Sequence, residues 1–198
     1  MVRTIGSDGA KTEEAIRAAA VRLIAAHGFE AVTLRDLAKE VGIQPGSLYR
    51  YYGSKGALLL TLMVTHLEHL LGEWHIAKRG LQTPKERLHA FVEFHVHYHS
   101  QKKNEVLIGN MEIRSLSDEH RKIVSALRAQ YENELYVILD DGVKSGEFII
   151  RDVRVATFAI LAMLTGLTAW YREGGRLSKR ELVACYADLA FGGVTKPT

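Results

Sequence analysis

Residues 33–58 read Thr33-Leu-Arg-Asp-Leu-Ala-Lys-Glu-Val-Gly-Ile-Gln-Pro-Gly-Ser-Leu-Tyr-Arg-Tyr-Tyr-Gly-Ser-Lys-Gly-Ala-Leu58. Thr33 followed three residues later by Asp36 has capping-box form, and Leu37, Ala38 and Val41 supply one short apolar face before Gly42 ends it. After the link Ile43-Gln44, Pro45 stands where a first-turn proline belongs and opens a second helix through Ser47, Leu48 and Tyr49. Tyr52-Gly53-Ser54 breaks that helix. Two short helices joined by a tight turn, packed behind a third, form a helix-turn-helix.

The side chains of this stretch suit a phosphate-rich partner. Residues 43–55 contain no acidic residue. Leu48 and Tyr52, four apart, face inward and anchor the helix, which leaves Gln44, Ser47, Tyr49, Arg50 and Tyr51 to project outward. Gln44 can pair with an adenine edge. Gly46 lets the backbone approach a phosphate, an anion that a helix N-terminus favours. Tyr49 and Tyr51 offer hydroxyls to phosphates and ring faces to thymine methyls. Lys55 is expected to clamp a phosphate, as is Thr33 through its hydroxyl. In isolation Tyr49-Arg50-Tyr51 would read as a solvated helix face; the capping and the turn around it favour the DNA reading only together with the family resemblance described below.

Working outward, a helical period begins at Thr12, with Ile16, Ala20, Leu23 and Ile24 on one face and Gly28 as the stop. Residues 1–11 are expected to form a flexible arm and 12–56 the helix-turn-helix domain. Ser54 caps a long helix to about Lys78. Thr83-Pro-Lys-Glu86 opens a helix to about Ser100, a shorter one covers about 106–116, and Ser117 caps another that ends at Gly146. Helices over about 155–172 and from the Ser178-Lys-Arg-Glu181 box to Gly192 complete an all-α chain of nine helices, with 57–198 as the second domain. Phe148-Ile-Ile150 is the one hint of extended structure.

The run 33–43 followed by 46–58, within a match over about residues 12–60, resembles the DNA-binding signature of the TetR family of transcriptional repressors. Tyr52 stands where that family often has phenylalanine, and Gly53 where it often has proline. The resemblance implies an all-helical homodimer, with an N-terminal three-helix DNA-binding domain and a C-terminal body that binds a ligand. The last two helices would form an intersubunit four-helix bundle. The DNA-contacting set it implies is Thr33, Arg35, Gln44, Pro45, Gly46, Ser47, Tyr49, Arg50, Tyr51 and Lys55, on double-stranded operator DNA in the cytoplasm.

Two further stretches, Asn110-Met-Glu-Ile-Arg-Ser-Leu116 and Trp170-Tyr-Arg-Glu-Gly-Gly-Arg-Leu-Ser178, resemble a TetR subgroup. Many of its members answer to acyl-coenzyme A or related thioesters. The body supplies an aromatic and aliphatic set, Phe91, Phe94, Tyr98, Ile108, Met111, Leu127, Tyr131, Leu164 and Trp170, with His95 and Glu112 among them. An apolar pocket with a few convergent polar groups is the form of a small-molecule site, so this set is the expected effector pocket. Each member taken alone also reads as plain core, and a body that is a protein-interaction module with no effector is the alternative. Arg172, Arg176, Lys179 and Arg180 gather near one helix junction, where they suit the phosphates of a coenzyme A or a solvated turn equally.

Composition excludes other classes. In 198 residues, 47% are hydrophobic and 25% charged, with a net charge of +3 and three prolines, so the chain is an ordinary globular one with long uninterrupted helices. The single cysteine, Cys185, rules out an internal disulfide framework and is expected to be packed. Residues 1–10 hold no apolar run, so no signal peptide is expected there. The uncharged run Val155–Tyr171 falls short of the roughly 20 residues a bilayer span needs and is expected to be a buried helix, with no membrane partner. His95 and His99 share a helix face while His97 points away, too few for a metal site. No phosphate-binding glycine loop or catalytic signature occurs, so no catalytic residue, metal or resident cofactor is expected, beyond an effector of the acyl-coenzyme A kind.

Overall fold

The computed structural model describes residues 7–195. Among them it is all-helical: α1 (Ser7–His27), α2 (Leu34–Val41), α3 (Pro45–Leu48), α4 (Lys55–Ala77), α5 (Pro84–Gln101), α6 (Lys103–Met111), a 3₁₀ turn at Ile113–Ser115, α7 (Asp118–Lys144), α8 (Val153–Thr165), α9 (Leu167–Trp170) and α10 (Lys179–Gly192). Gly166 separates α8 from α9; taken together as one helix, they give the nine expected.

The caps explain most boundaries. Thr33, Thr83 and Ser178 each form a complete capping box, with Pro84 at the first turn of α5. Ser54 accepts from the Ala57 amide and Ser117 from the His120 amide, as their positions before α4 and α7 require. Asp152 caps α8 through the Val155 amide, which starts that helix two residues before the expected point. Of the expected arm, residues 1–6 lie outside the described residues, while Ser7–Lys11 belong to α1, so Thr12 lies within the helix and is not its cap. Gly28 and Gly42, with φ of 81° and 75°, close α1 and α2 in the left-handed region.

The described residues form two compact units, one of residues 7–66 plus Asn104–Ser125, the other of Leu67–Lys103 plus residues 126–195. This division differs from a single boundary at residue 56. In the first unit, Ile16, Ala20, Ile24, Phe29, Val32, Leu37, Leu48 and Tyr52 are buried together with Leu58, Val106, Ile108 and Val124. In the second, α5 packs against α8, α9 and α10. Trp74 meets Phe91 edge-on at 5.0 Å between ring centroids, and Phe91 stacks on Tyr131 at 5.3 Å.

Phe148, part of the extended stretch, is buried against the end of α7, and the adjoining Ile149 amide donates to the Val194 carbonyl at 2.8 Å. A Cβ on Gly142 would lie 1.9 Å from Phe148 Cδ2. Alanine in a helix normally gains up to about 1 kcal/mol over glycine. Here Gly142→Ala must expel the ring, and we expect a net loss of about 2–3 kcal/mol in chemical denaturation. A Phe148→Leu background should relieve part of it.

Helix α8 is not the buried helix expected from its hydropathy. Over residues 153–170 the mean hydropathy is 1.6, apolar enough to cross a membrane by composition, yet only 22% of the window is buried. Thr157, Ile160, Leu164 and Leu167 form one inward stripe. The outward face carries Val155, Phe158, Ala159 and Ala162, with Phe158 48% exposed. On α10, Leu189 is exposed, as are Ala184 and Cys185. Cys185 is therefore at the surface, against the expectation that it packs inside. The apolar period of α8 covers two faces, one buried and one exposed.

Candidate nucleic-acid interface and effector-binding body

The short helix α3 is presented as its sequence requires. Leu48 is fully buried and Tyr52 nearly so, and the Tyr52 hydroxyl donates to the Glu13 carboxylate at 3.2 Å across to α1. Burial, then the Glu13 charge, raises the Tyr52 pKa and keeps that proton in place. With the anchors turned inward, Gln44, Pro45, Gly46, Tyr49 and Arg50 are exposed and Ser47 and Tyr51 half-buried. Tyr49 is 55% exposed, which leaves its ring and hydroxyl open to solvent. Regular α-geometry spans Pro45–Leu48 alone; Arg50, Tyr51 and Tyr52 continue as tight turns, their amides bonded to Ser47 and Leu48 carbonyls at 2.9–3.2 Å. The expected second helix, opened by Pro45 and broken at Tyr52-Gly53-Ser54, is thus one helical turn with a tighter extension.

On α2, Thr33 and Arg35 are exposed, and Lys39 is a further exposed cation on the same helix that the sequence reading passed over. The Thr33 hydroxyl is already engaged, donating to Asp36 Oδ2 at 2.6 Å while accepting the Asp36 amide. These hydrogen bonds hold the Asp36 carboxyl below its usual range. Lys55 is also occupied. Its ammonium donates to the Phe29 carbonyl at 2.9 Å and the Glu30 carbonyl at 3.4 Å, and lies 4.2 Å from the Phe29 ring centroid. In this structure Lys55 ties α4 to the α1–α2 loop.

The expected effector set divides between the two units. In the first, Met111 is 55% exposed, Ile108 is buried, and Glu112 accepts from the Phe29 amide and the Ser115 hydroxyl. In the second, Phe91, His95, Tyr98, Tyr131 and Leu164 are buried, and Phe94 and Leu127 pack against them. Trp170 does not join this group. It is 54% exposed and lies edge-on to Tyr171.

The polar heart of the second unit is a histidine pair. His95 Nδ1 lies 3.2 Å from the Tyr131 hydroxyl and His95 Nε2 3.2 Å from Thr165 Oγ1, so two hydroxyls serve a neutral imidazole in either tautomer. The His99 ring stacks on His95 at 3.6 Å. Burial, and secondarily His99, pushes the His95 pKa well below its usual value. Tyr131 keeps its proton for the same reason. Nearby, His69 Nδ1 sits 3.0 Å from the Tyr98 hydroxyl. Thr165 and His69 escaped the sequence reading because they come from helices far along the chain, and no spacing announces them. Among the described residues no three His, Cys, Asp or Glu side chains are grouped to hold a metal ion.

A depressed histidine pKa has a definite sign. The unfolded chain takes up a proton below about 6.5 that folded His95 resists, so stability falls as pH drops through that value. We expect a loss of up to about 1.4 kcal/mol per pH unit from this group below pH 6.5. Thermal denaturation at pH 7.5 and 5.5 should show it, and His95→Asn should flatten the dependence.

Around the turn after α9, Trp170, Tyr171, Arg172, Gly175, Arg176 and Leu177 line a surface cleft of about 350 Å³. Arg172, Arg176 and Arg180 are exposed, whereas Lys179 pairs with Glu173 at 2.9 Å. The expected basic cluster is therefore partly neutralised.

Comparison with known proteins agrees with this geometry. Residues 16–62 match the bacterial regulatory proteins of the tetR family, and residues 81–194 match the tetracyclin repressor-like C-terminal domain. The HTH-type transcriptional repressor KstR2 of Mycobacterium tuberculosis (strain ATCC 25618 / H37Rv) is 28% identical over 99% of this chain and 98% of its own. The crystal structure of a tetR-family regulatory protein from Rhodococcus RHA1 superimposes with a TM-score of 0.89 at 28% identity, covering 95% of this chain and 99% of that one. The structure of AibR in complex with isovaleryl coenzyme A and operator DNA shares the fold, with a TM-score of 0.85 at 23% identity over 91% of this chain and 98% of that one. A buried Leu48–Tyr52 anchor under an exposed, acid-free turn and these two matches together cover most of the chain: it belongs to the TetR family of DNA-binding transcriptional repressors.

Proposed function

We propose that this chain works as a cytoplasmic homodimer whose two copies of the 44–52 turn enter successive major grooves, about 34 Å apart, on one face of a near-palindromic operator. The observation that carries this reading is the exposure of Gln44, Tyr49 and Arg50 above buried Leu48 and Tyr52. The dimer contact falls on the outward apolar faces of α8 and α10, which a second copy would remove from water. In this role the chain carries out no reaction of its own.

A small-molecule effector releases the operator by favouring an arrangement in which the two turns no longer match that spacing. We assign the effector to the acyl-coenzyme A class. The buried aromatic set around Tyr131 and His95 offers an apolar surface with hydroxyl and imidazole groups, and the Trp170 cleft offers Arg172 and Arg176 to phosphates. Isovaleryl coenzyme A accompanies operator DNA in the AibR complex, which shares the fold.

The test begins with selection of binding duplexes from random DNA, followed by fluorescence anisotropy. A selected duplex should bind tightly, weaken steeply with salt, and be released by an acyl-coenzyme A but not by free coenzyme A. Failure to enrich any duplex with a dimeric sample would overturn the DNA reading. Enrichment with no response to acyl thioesters, and no small molecule released from denatured protein in mass spectrometry, would leave the body as a protein-interaction module.

A further inference from the structure

The Glu112 carboxylate is committed within the first unit rather than to an effector. It follows α6 and accepts the Phe29 amide at 3.0 Å and the Ser115 hydroxyl at 2.8 Å. The Phe29 peptide follows Gly28, whose left-handed φ of 81° closes α1; a Cβ there would lie 3.7 Å from the same carboxylate oxygen. The Phe29 carbonyl in turn receives the Lys55 ammonium, which also reaches the Glu30 carbonyl. Lys55 is the first residue of α4, three beyond the Tyr52 anchor of the recognition turn. One residue, Phe29, therefore stands between a carboxylate of the 104–116 segment, bonded through its amide, and a cation next to the DNA-facing stretch, bonded through its carbonyl, all within the first compact unit.

We infer that Glu112 is the positioning residue that couples the 104–116 segment to the DNA-facing turn. The inference rests on the DNA-binding reading above and adds to it a named route. While α6 and the following 3₁₀ turn hold Glu112 in place, the Phe29 amide is fixed, and with it the carbonyls that orient Lys55. If that segment shifts, the amide loses a charged acceptor and the loop relaxes, because a hydrogen bond to a carboxylate holds more strongly than one to water. By linkage, DNA bound at the turn must tighten the 104–116 segment by the same factor.

Amide hydrogen exchange on the full chain, free and saturated with a duplex selected as above, reads this coupling directly. In the wild type, duplex should slow exchange at 33–52 and also, by about tenfold, at 104–116. Glu112→Ala should keep the slowing at 33–52 but reduce that at 104–116 below about twofold. Glu112→Asp, which retains the charge but draws the carboxylate back from Phe29, should behave likewise and serves if the alanine variant is unstable. Glu112→Gln keeps an acceptor oxygen within reach and should retain the coupling. Tenfold slowing that persists in both the alanine and aspartate variants, or is absent from 104–116 in the wild type, overturns the inference. Absence of slowing at 33–52 in the wild type would instead overturn the DNA reading on which it rests.

Discussion

Phe158→Asp should convert the protein to a monomer and lower its operator affinity by at least about a hundredfold, because half-sites bound separately lose the effective concentration that a dimer supplies. Phe158 lies on the outward face of α8 at 48% exposure, with Val155 three residues before it and Ala162 four after. A carboxylate buried there without a partner costs about 3–5 kcal/mol, and the two-fold axis would impose it twice. Because about half of the side chain is already open to solvent in the single chain, the melting transition of the isolated fold should move less than the association constant. Sedimentation at micromolar concentration checks the first effect and anisotropy the second. An undiminished dimer would place the interface elsewhere.

The second large effect belongs to the recognition turn. Tyr49→Ala and Arg50→Ala should each weaken the selected duplex by about 5- to 150-fold, the range of 1–3 kcal/mol for a lost base-edge or groove contact. Both side chains are exposed, and the hydrogen bond from Arg50 to Ser47 Oγ at 3.2 Å is an exposed one, so stability should hardly change. Lys55→Ala provides the contrast. Its ammonium serves two carbonyls and the Phe29 ring, so its loss should lower the melting temperature as well as the affinity. If Tyr49→Ala leaves the affinity unchanged while Lys55→Ala abolishes it, the groove contact lies on α2 and the loop.

Local grammar made most of the fold legible in advance. Capping boxes at Thr33, Thr83 and Ser178, and glycine stops at Gly28 and Gly42, act over four or five residues, so their spacing along the chain is their spacing in space. The orientation of Leu48 and Tyr52 followed from the same short-range periodicity. Where the reading failed, the deciding contact was distant. Nothing near Glu112 announces that it will hold the Phe29 amide 83 residues away, or near Trp170 that it will stay outside the aromatic core. The hydropathy of 155–171 was genuine, but burial within one subunit and burial between two produce the same residue pattern. In α8 the inward stripe uses only part of the apolar surface, and Val155 and Phe158 stay exposed in the single chain.

Dimethyl sulfate probing of the selected duplex reports groove occupancy base by base, since guanine N7 lies in the major groove and adenine N3 in the minor. The account predicts two tracts of protected guanines about ten base pairs apart, lost together in Tyr49→Ala, with adenine methylation between them largely unaffected. Protection confined to adenine N3, or a single tract unchanged by Tyr49→Ala, would contradict it.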